Sequence, residues 1–304
     1  MPVLAEAAQP APRPAWRRSW RERMVRGVYQ LGWRTASKVP PRLESMIISV
    51  ASRKAVQHDG SHVKTLRRNL TVLTGGPVDD DLLRRAVASY LRTFSEVLAL
   101  RHWTGDDIRS RITTMNESVL RTSYAGAGAV VALPHSGNWD LAGAWACLTG
   151  MPVSTVAEQL ADAEYADFVA FRERLGMEVL SHRDPTAISE LVFAVRRGRL
   201  VCLLADRDLE RTGLAVRWAG QDITMPAGPA MIARRSGTAL IPAVCQYTQT
   251  GMTIIFGDPI PPRPGRTGLR AMTQQVADFF ADTLADQPED WHMMQPFFAE
   301  PDAE

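Results

Sequence analysis

A histidine and a carboxylate stand five positions apart in His135-Ser136-Gly137-Asn138-Trp139-Asp140, directly after the apolar run Val130-Val131-Ala132-Leu133. A neutral imidazole can take a proton from an alcohol near neutral pH, and a carboxylate beside it fixes its tautomer and stabilises the cation that forms. The run predicts a buried strand and the hexapeptide its hand-over to a helix. His135 in the loop and Asp140 in the first helical turn can then face one another as general base and orienting acid. Gly137 lets backbone come close to a substrate, and Asn138 is a good helix N-cap. Backbone N–H groups of Gly137 and Asn138 are candidate donors to an oxyanion. The bare spacing also fits a loop histidine followed by a helix-dipole carboxylate.

Other chemistries lack their residues. No G-x-S-x-G supplies a nucleophile elbow, no H-E-x-x-H or paired-cysteine pattern supplies a zinc site, and neither a P-loop nor a G-x-G-x-x-G follows a strand. A direct transfer without metal, redox cofactor or covalent intermediate is left, and the expected cofactor set is empty. A second charged cluster, Asp206-Arg207-Asp208-Leu209-Glu210, follows the apolar run Leu200 to Ala205 and is expected at the same sheet rim.

The elements that must position these groups fall into two parts. Helical periodicity runs over 16–37, 43–57, 62–73 and 81–102, with a break at Pro40-Pro41, a stop at Gly75-Gly76-Pro77, and acidic residues Asp79-Asp80-Asp81 at the next N-terminus. Helices are also expected over 106–115 and 117–124. Short β-branched runs at 130–133, 153–156, 178–180, 200–205, 239–246 and 252–256 then alternate with helical stretches at 139–148, 163–175, 185–197, 229–236 and 268–284. This alternation predicts an α/β fold with a mostly parallel central sheet flanked by helices, the last two runs being candidates for an antiparallel pair. The expected organisation is a loose tail over 1–15, a basic amphipathic helix over 16–38, and one α/β domain over 39–304 with a helical first part (39–125).

Charge is unevenly spread. Residues 1–76 hold fourteen Lys/Arg against four Asp/Glu, a balance of +10, which leaves −8 on the rest of a chain whose net charge is +2. Trp16, Trp20, Met24, Val28 and Leu31 recur at helical spacing with Arg17, Arg18, Arg21, Arg23 and Arg26 between them. Such a helix suits an anionic membrane surface, with tryptophans at headgroup depth; packing of its apolar stripe on the body is the alternative. No run is long enough for a transmembrane helix and the first residues lack a signal-peptide pattern. Cys147, Cys202 and Cys245 are widely spaced in apolar sequence, as free thiols of a reducing compartment are.

The apolar strand followed by H-S-G-N-W-D resembles the H-x4-D/E signature of glycerolipid and lipid A acyltransferases. Leu204-Ala205-Asp206-Arg207-Asp208-Leu209, Met225-Pro226-Ala227-Gly228-Pro229-Ala230 and Asp290-Trp291-His292-Met293-Met294-Gln295 resemble, more narrowly, the actinobacterial phosphatidylinositol mannoside acyltransferases. The resemblance runs from about Arg21 to Phe298. It implies transfer of a palmitoyl-type chain from acyl-CoA to the 6-hydroxyl of the mannose on inositol O2, by a peripheral enzyme at the cytoplasmic face of the inner membrane. Neither nucleic acid nor metal is implied. By the same resemblance Glu210 is the nearest match to an acceptor-contacting glutamate, with Asp206, Arg207 and Asp208 beside it. Glu158 and Arg172 or Arg174 match a glutamate and an arginine next to the site. The competing readings are a lipid A type or lysophospholipid acyltransferase, and a non-catalytic lipid-binding or nucleic-acid-binding protein.

Overall fold

The computed structural model describes residues 40–158, 162–208 and 212–298. It opens on three helices: α1 (Pro41–His58), α2 (Ser61–Thr74) and α3 (Asp80–Leu100). Their ends follow local chemistry. Left-handed Asp59 and Gly75 terminate α1 and α2, and the Asp79 side chain accepts the Leu82 amide at 2.7 Å to start α3. Short α4 (Gly105–Arg111) begins in a reciprocal Thr104/Asp107 capping box. The helix expected over 106–115 stops early, because Ile112–Met115 forms strand β1. Two adjacent threonines suit a strand, and one of them meets Thr253 across the sheet at 2.8 Å.

After α5 (Glu117–Gly126) come β2 (Ala129–Leu133), α6 (Trp139–Leu148), β3 (Val153–Ala157), α7 (Asp162–Arg174), β4 (Glu178–Ser181), α8 (Ala187–Arg196) and β5 (Leu200–Leu204). A hairpin, β6 (Leu214–Trp218) and β7 (Gln221–Met225), then precedes α9 (Gly228–Ser236), β8 (Ala239–Tyr247), β9 (Met252–Phe256) and α10 (Gly265–Asp286). Seven strands form one sheet in the order β1-β9-β8-β2-β5-β3-β4. Every pairing is parallel except β8 with β9, the pair expected to run antiparallel. The β6–β7 hairpin lay in sequence read as a connection. It packs its buried face, Leu214, Val216 and Trp218, against α10.

All five residues of β2 are buried. Val130 and Ala132 join a core with α2, α3, α8, α9 and α10, whereas Ala129, Val131 and Leu133 join a second core with α4, α5, α6 and α7. A central parallel strand covered on both faces needs such a continuous apolar run, so the alternation of a half-exposed strand is missing. No helix of the described residues is long and apolar enough to cross a membrane.

Candidate active site

Strand register builds the centre of the site. Leu133 and Leu204 are partners at the ends of β2 and β5, and the Ala205 amide still bonds the Leu133 carbonyl at 2.8 Å. His135 and Asp206 each lie two residues beyond that pair, so both chains deliver their side chains to one point on the carboxyl edge of the sheet. His135 Nδ1–H donates to Asp206 Oδ1 at 2.6 Å, and the His135 amide donates to Oδ2 at 2.9 Å. The Trp291 indole N–H reaches the same Oδ2 at 3.2 Å. Burial by itself would push the Asp206 carboxyl up, but the His135 charge and these three N–H groups hold it below the usual carboxylate range. His135 keeps 19% of its side chain exposed while Asp206 has none, which leaves the imidazole as the accessible member of an oriented pair.

The orienting carboxylate is therefore Asp206, placed by sequence among the acceptor-side charges, and not Asp140. From the first turn of α6 the Asp140 Oδ1 instead accepts Arg172 Nε at 2.5 Å. Both partners are buried, and the guanidinium lies 4.1 Å from the Phe168 ring centroid. Five residues along one chain suggested contact. A hydrogen-bonded register between two strands fixed a different neighbour first, and a charge from α7 claimed the nearer carboxylate.

The expected oxyanion donors are also engaged. The Gly137 amide donates to the Asp290 carbonyl at 3.1 Å and the Asn138 amide to Met252 Sδ at 3.2 Å; those of His135 and Ser136 go to Asp206 and the Pro134 carbonyl. Gly137 has φ +53°, and a Cβ there would sit 2.8 Å from the Cys245 carbonyl oxygen. A neighbouring strand requires the glycine. Asn138 caps α6, its Oδ1 accepting the Leu141 amide at 3.0 Å while its Nδ2 donates to Glu96 at 3.1 Å. One donor beside the His135 ring has no partner among the described residues: the Trp139 indole N–H is buried, and its ring meets His135 edge-on at 5.4 Å.

Behind the loop lies a polar layer that sequence reasoning did not assemble. His292 donates its amide to the His135 carbonyl at 2.8 Å. Ser89 Oγ gives its proton to Asp290 at 2.5 Å, so the 3.1 Å contact with His292 Nε2 is donated by the imidazole. Asp290 also accepts the Tyr247 amide and Gln287 Nε2, each at 2.5 Å. Burial pushes Asp290 up to about 6, against the hydrogen bonds from Ser89 and Tyr247. Burial, reinforced by the His135 charge and opposed by Asp206, pushes His292 down to about 3. His292 is thus both a satisfied buried histidine and a neighbour of the site. The clue available was D-W-H itself, an acid and two hydrogen-bonding rings in otherwise apolar sequence.

The other expected positions divide. Glu158 is exposed, with Arg207 3.9 Å away at the rim. Asp208 Oδ2 accepts the Gly213 amide at 2.9 Å and closes the base of the loop between them. Glu210 in that loop lies outside the described residues, as do Trp16, Arg17, Trp20 and Arg21. Arg174 is exposed on α7, on the face opposite Arg172. All three cysteines are free, Cys245 buried and the other two half-buried.

An apolar cavity opens between α6 and the sheet and is partly open to solvent. Leu133 and Leu204 at the strand ends and Trp139 beside His135 stand at one part of its wall. Val131, Trp145, Met177, Ile254 and Phe256 line the depth, and Asp140 with Arg172 forms its charged spot.

Residues 16–300 match the family model described as bacterial lipid A biosynthesis acyltransferase. The chain is 37% identical over 277 residues to a phosphatidylinositol mannoside acyltransferase of Mycolicibacterium smegmatis, covering 88% of this chain and 89% of that one. It is 36% identical over 281 residues to the protein of the same description from Mycobacterium tuberculosis, in the CDC 1551 and H37Rv strains, covering 88% and 86%. With its histidine-carboxylate pair beside an apolar cavity, the chain belongs to the bacterial lipid A biosynthesis acyltransferase family and is an O-acyltransferase.

Proposed function

We propose that the protein moves a palmitoyl-type chain from acyl-CoA to a mannose hydroxyl of a phosphatidylinositol mannoside, the 6-position of the mannose on inositol O2. The observation that carries this is the exposed His135 imidazole, held by buried Asp206, next to a cavity whose walls suit an alkyl chain. Each CH₂ that leaves water for such walls contributes about 0.8 kcal/mol, so chain length becomes a binding determinant. With its Nδ1–H bound to Asp206, His135 presents Nε2 as the base. The hydroxyl oxygen attacks the thioester carbonyl carbon while its proton passes to Nε2. Collapse of the tetrahedral intermediate breaks the C–S bond, and the same proton goes to the departing thiolate, giving ester and free CoA. Asp206 remains ionised and stabilises the transient imidazolium. Arg207, Glu158 and Asp208 at the rim, with Glu210, are the groups for the polar head and the CoA phosphates.

The reaction joins two lipids, and the protein is accordingly assigned to the cytoplasmic face of the inner membrane as a peripheral enzyme. Supporting this, Leu43, Met46, Ile47 and Val50 form an exposed apolar stripe on α1. Phe94 is exposed on α3, the helix that packs on α1, and touches Tyr90, whose ring meets His292. The basic aromatic segment 16–38 precedes that stripe directly.

The test is incubation of purified protein with labelled palmitoyl-CoA and a panel of phosphatidylinositol mono- and dimannosides, lipid A precursors and lysophospholipids. Mass spectrometry of the products should show acyl-mannoside, lost in His135→Ala. Preferential acylation of a lysophospholipid or lipid A precursor would replace the acceptor assignment. Co-sedimentation with anionic vesicles should weaken on removal of residues 1–38; undiminished binding would remove the membrane role of that segment.

A further inference from the structure

The segment after α10 grips the catalytic loop from outside the sheet. An antiparallel bridge joins Ser136 to Trp291, made by the Gly137 amide on the Asp290 carbonyl and the His292 amide on the His135 carbonyl. Between these two bonds the Trp291 side chain turns inward and its N–H meets Asp206 Oδ2 at 3.2 Å. Asp206 is thus held by both oxygens. Oδ1 takes the His135 imidazole; Oδ2 takes the His135 amide and the indole. A carboxylate with only the first contact can turn about its terminal torsion, which is broad and nearly two-fold. Here it cannot, and with no exposed surface on either Asp206 or Trp291, water has no access to replace the indole.

The ring that carries this N–H is itself fixed. Trp291 stacks on Trp218 of the β6–β7 hairpin, with centroids 5.6 Å and planes 19° apart, and takes Phe297 edge-on at 4.9 Å. The two tryptophans differ in one respect. Both rings are fully buried, but the Trp218 N–H has no partner among the described residues, whereas the Trp291 N–H has Asp206.

We propose that Trp291 is a positioning residue for acyl transfer: its indole N–H locks the Asp206 carboxylate in the orientation that holds His135 ready as base. The inference rests on the acyl-transfer reading above and adds the C-terminal segment to the catalytic unit. Loss of the N–H has two consequences. Oδ2 is left with the His135 amide alone, so the carboxylate is held less tightly and fewer encounters find the base aligned. With one donor fewer it is also a stronger acceptor for the imidazolium, which moves the acid limb of the rate profile to higher pH.

The experiment compares Trp291→Phe with Trp218→Phe, which disturbs the same stack without removing a hydrogen bond. In Trp291→Phe, kcat should fall about tenfold, the scale of one charge-assisted hydrogen bond, with KM within about twofold. The acid limb of the kcat–pH profile should move up, and the downfield Nδ1–H proton resonance of His135 should shift. In Trp218→Phe both the limb and the resonance should stay where wild type has them. If Trp291→Phe does not fold, benzothienylalanine at 291 retains ring size and stacking and replaces only the N–H by sulfur. The proposal is overturned if removing the N–H leaves acid limb and resonance unmoved, or lowers kcat no more than Trp218→Phe does. Wild-type protein without transferase activity, or an active His135→Ala, overturns the acyl-transfer reading itself.

Discussion

Replacing His292 by glutamine should change how stability depends on pH, in a direction and by an amount that its surroundings fix. The folded chain holds this imidazole neutral to about pH 3, whereas an unfolded chain protonates it near 6.5. Below 6.5 the unfolded state therefore binds a proton that the native state refuses. Native stability falls by about 1.4 kcal/mol per pH unit, or about 2 kcal/mol by pH 5. Asp290 acts oppositely. Its folded carboxyl titrates at about 6 against 3.8 when unfolded, so from pH 6 downward the native state takes the extra proton and regains about 1.4 kcal/mol by pH 5. In wild type the two contributions oppose one another between pH 7.5 and 5. His292→Gln should gain about 1.4 kcal/mol over the same interval, and Asp290→Asn should lose about 2. Urea unfolding at the two pH values measures each change, and the uniform packing cost of each substitution cancels in the difference. Parallel pH dependence in wild type and His292→Gln would refute a buried neutral His292.

Four further outcomes follow from the same geometry. Asp206→Asn should cost about 10³- to 10⁴-fold in kcat with the fold kept, since an amide misdirects the imidazole tautomer. Asp140→Asn should act mainly on stability, by about 3–5 kcal/mol, by leaving Arg172 buried and unpaired; paired kinetic and unfolding measurements would expose an exchange of these roles. Trp139→Phe should retain its melting temperature to within a few degrees and lower kcat about tenfold, because the N–H removed has no protein partner to lose and stands beside His135; unchanged kcat would show that the donor has no part in transfer. Gly137→Ala should destabilise by more than about 2 kcal/mol, combining a left-handed backbone with a Cβ pressed on the Cys245 carbonyl; a thermal melt within a degree of wild type would contradict that packing.

Much of the architecture was legible because local chemistry and tertiary packing agree. Gly75, the Asp79 cap and the uniformly apolar β2 and β5 each announce an element in a few residues. The β6–β7 hairpin also left a signal: Leu214, Val216 and Trp218 alternate with Ala215 and Arg217 before Ala219-Gly220, where positive φ angles of 45° and 79° form the turn. Ile112–Met115 was harder, since its partner is β9, far along the chain. The site divides along the same line. His135 is visible from its own neighbourhood, at a strand end before a capped helix. Its partner is not, because the match between Leu133 and Leu204 is a property of sheet register and leaves no mark in the spacing of either segment. Distance along the chain therefore favoured Asp140, and only strand pairing selects Asp206.

The bridge between Ser136 and Trp291 also sets an order of events during synthesis. A nascent chain that has displayed its strands and both catalytic side chains still lacks the residues that satisfy the Gly137 amide and the His135 carbonyl. Those contacts join residues far apart in the chain, and non-local contacts of this kind are late and slow to close. The loop that carries His135 therefore gains its last backbone partners only when the segment after α10 docks on it.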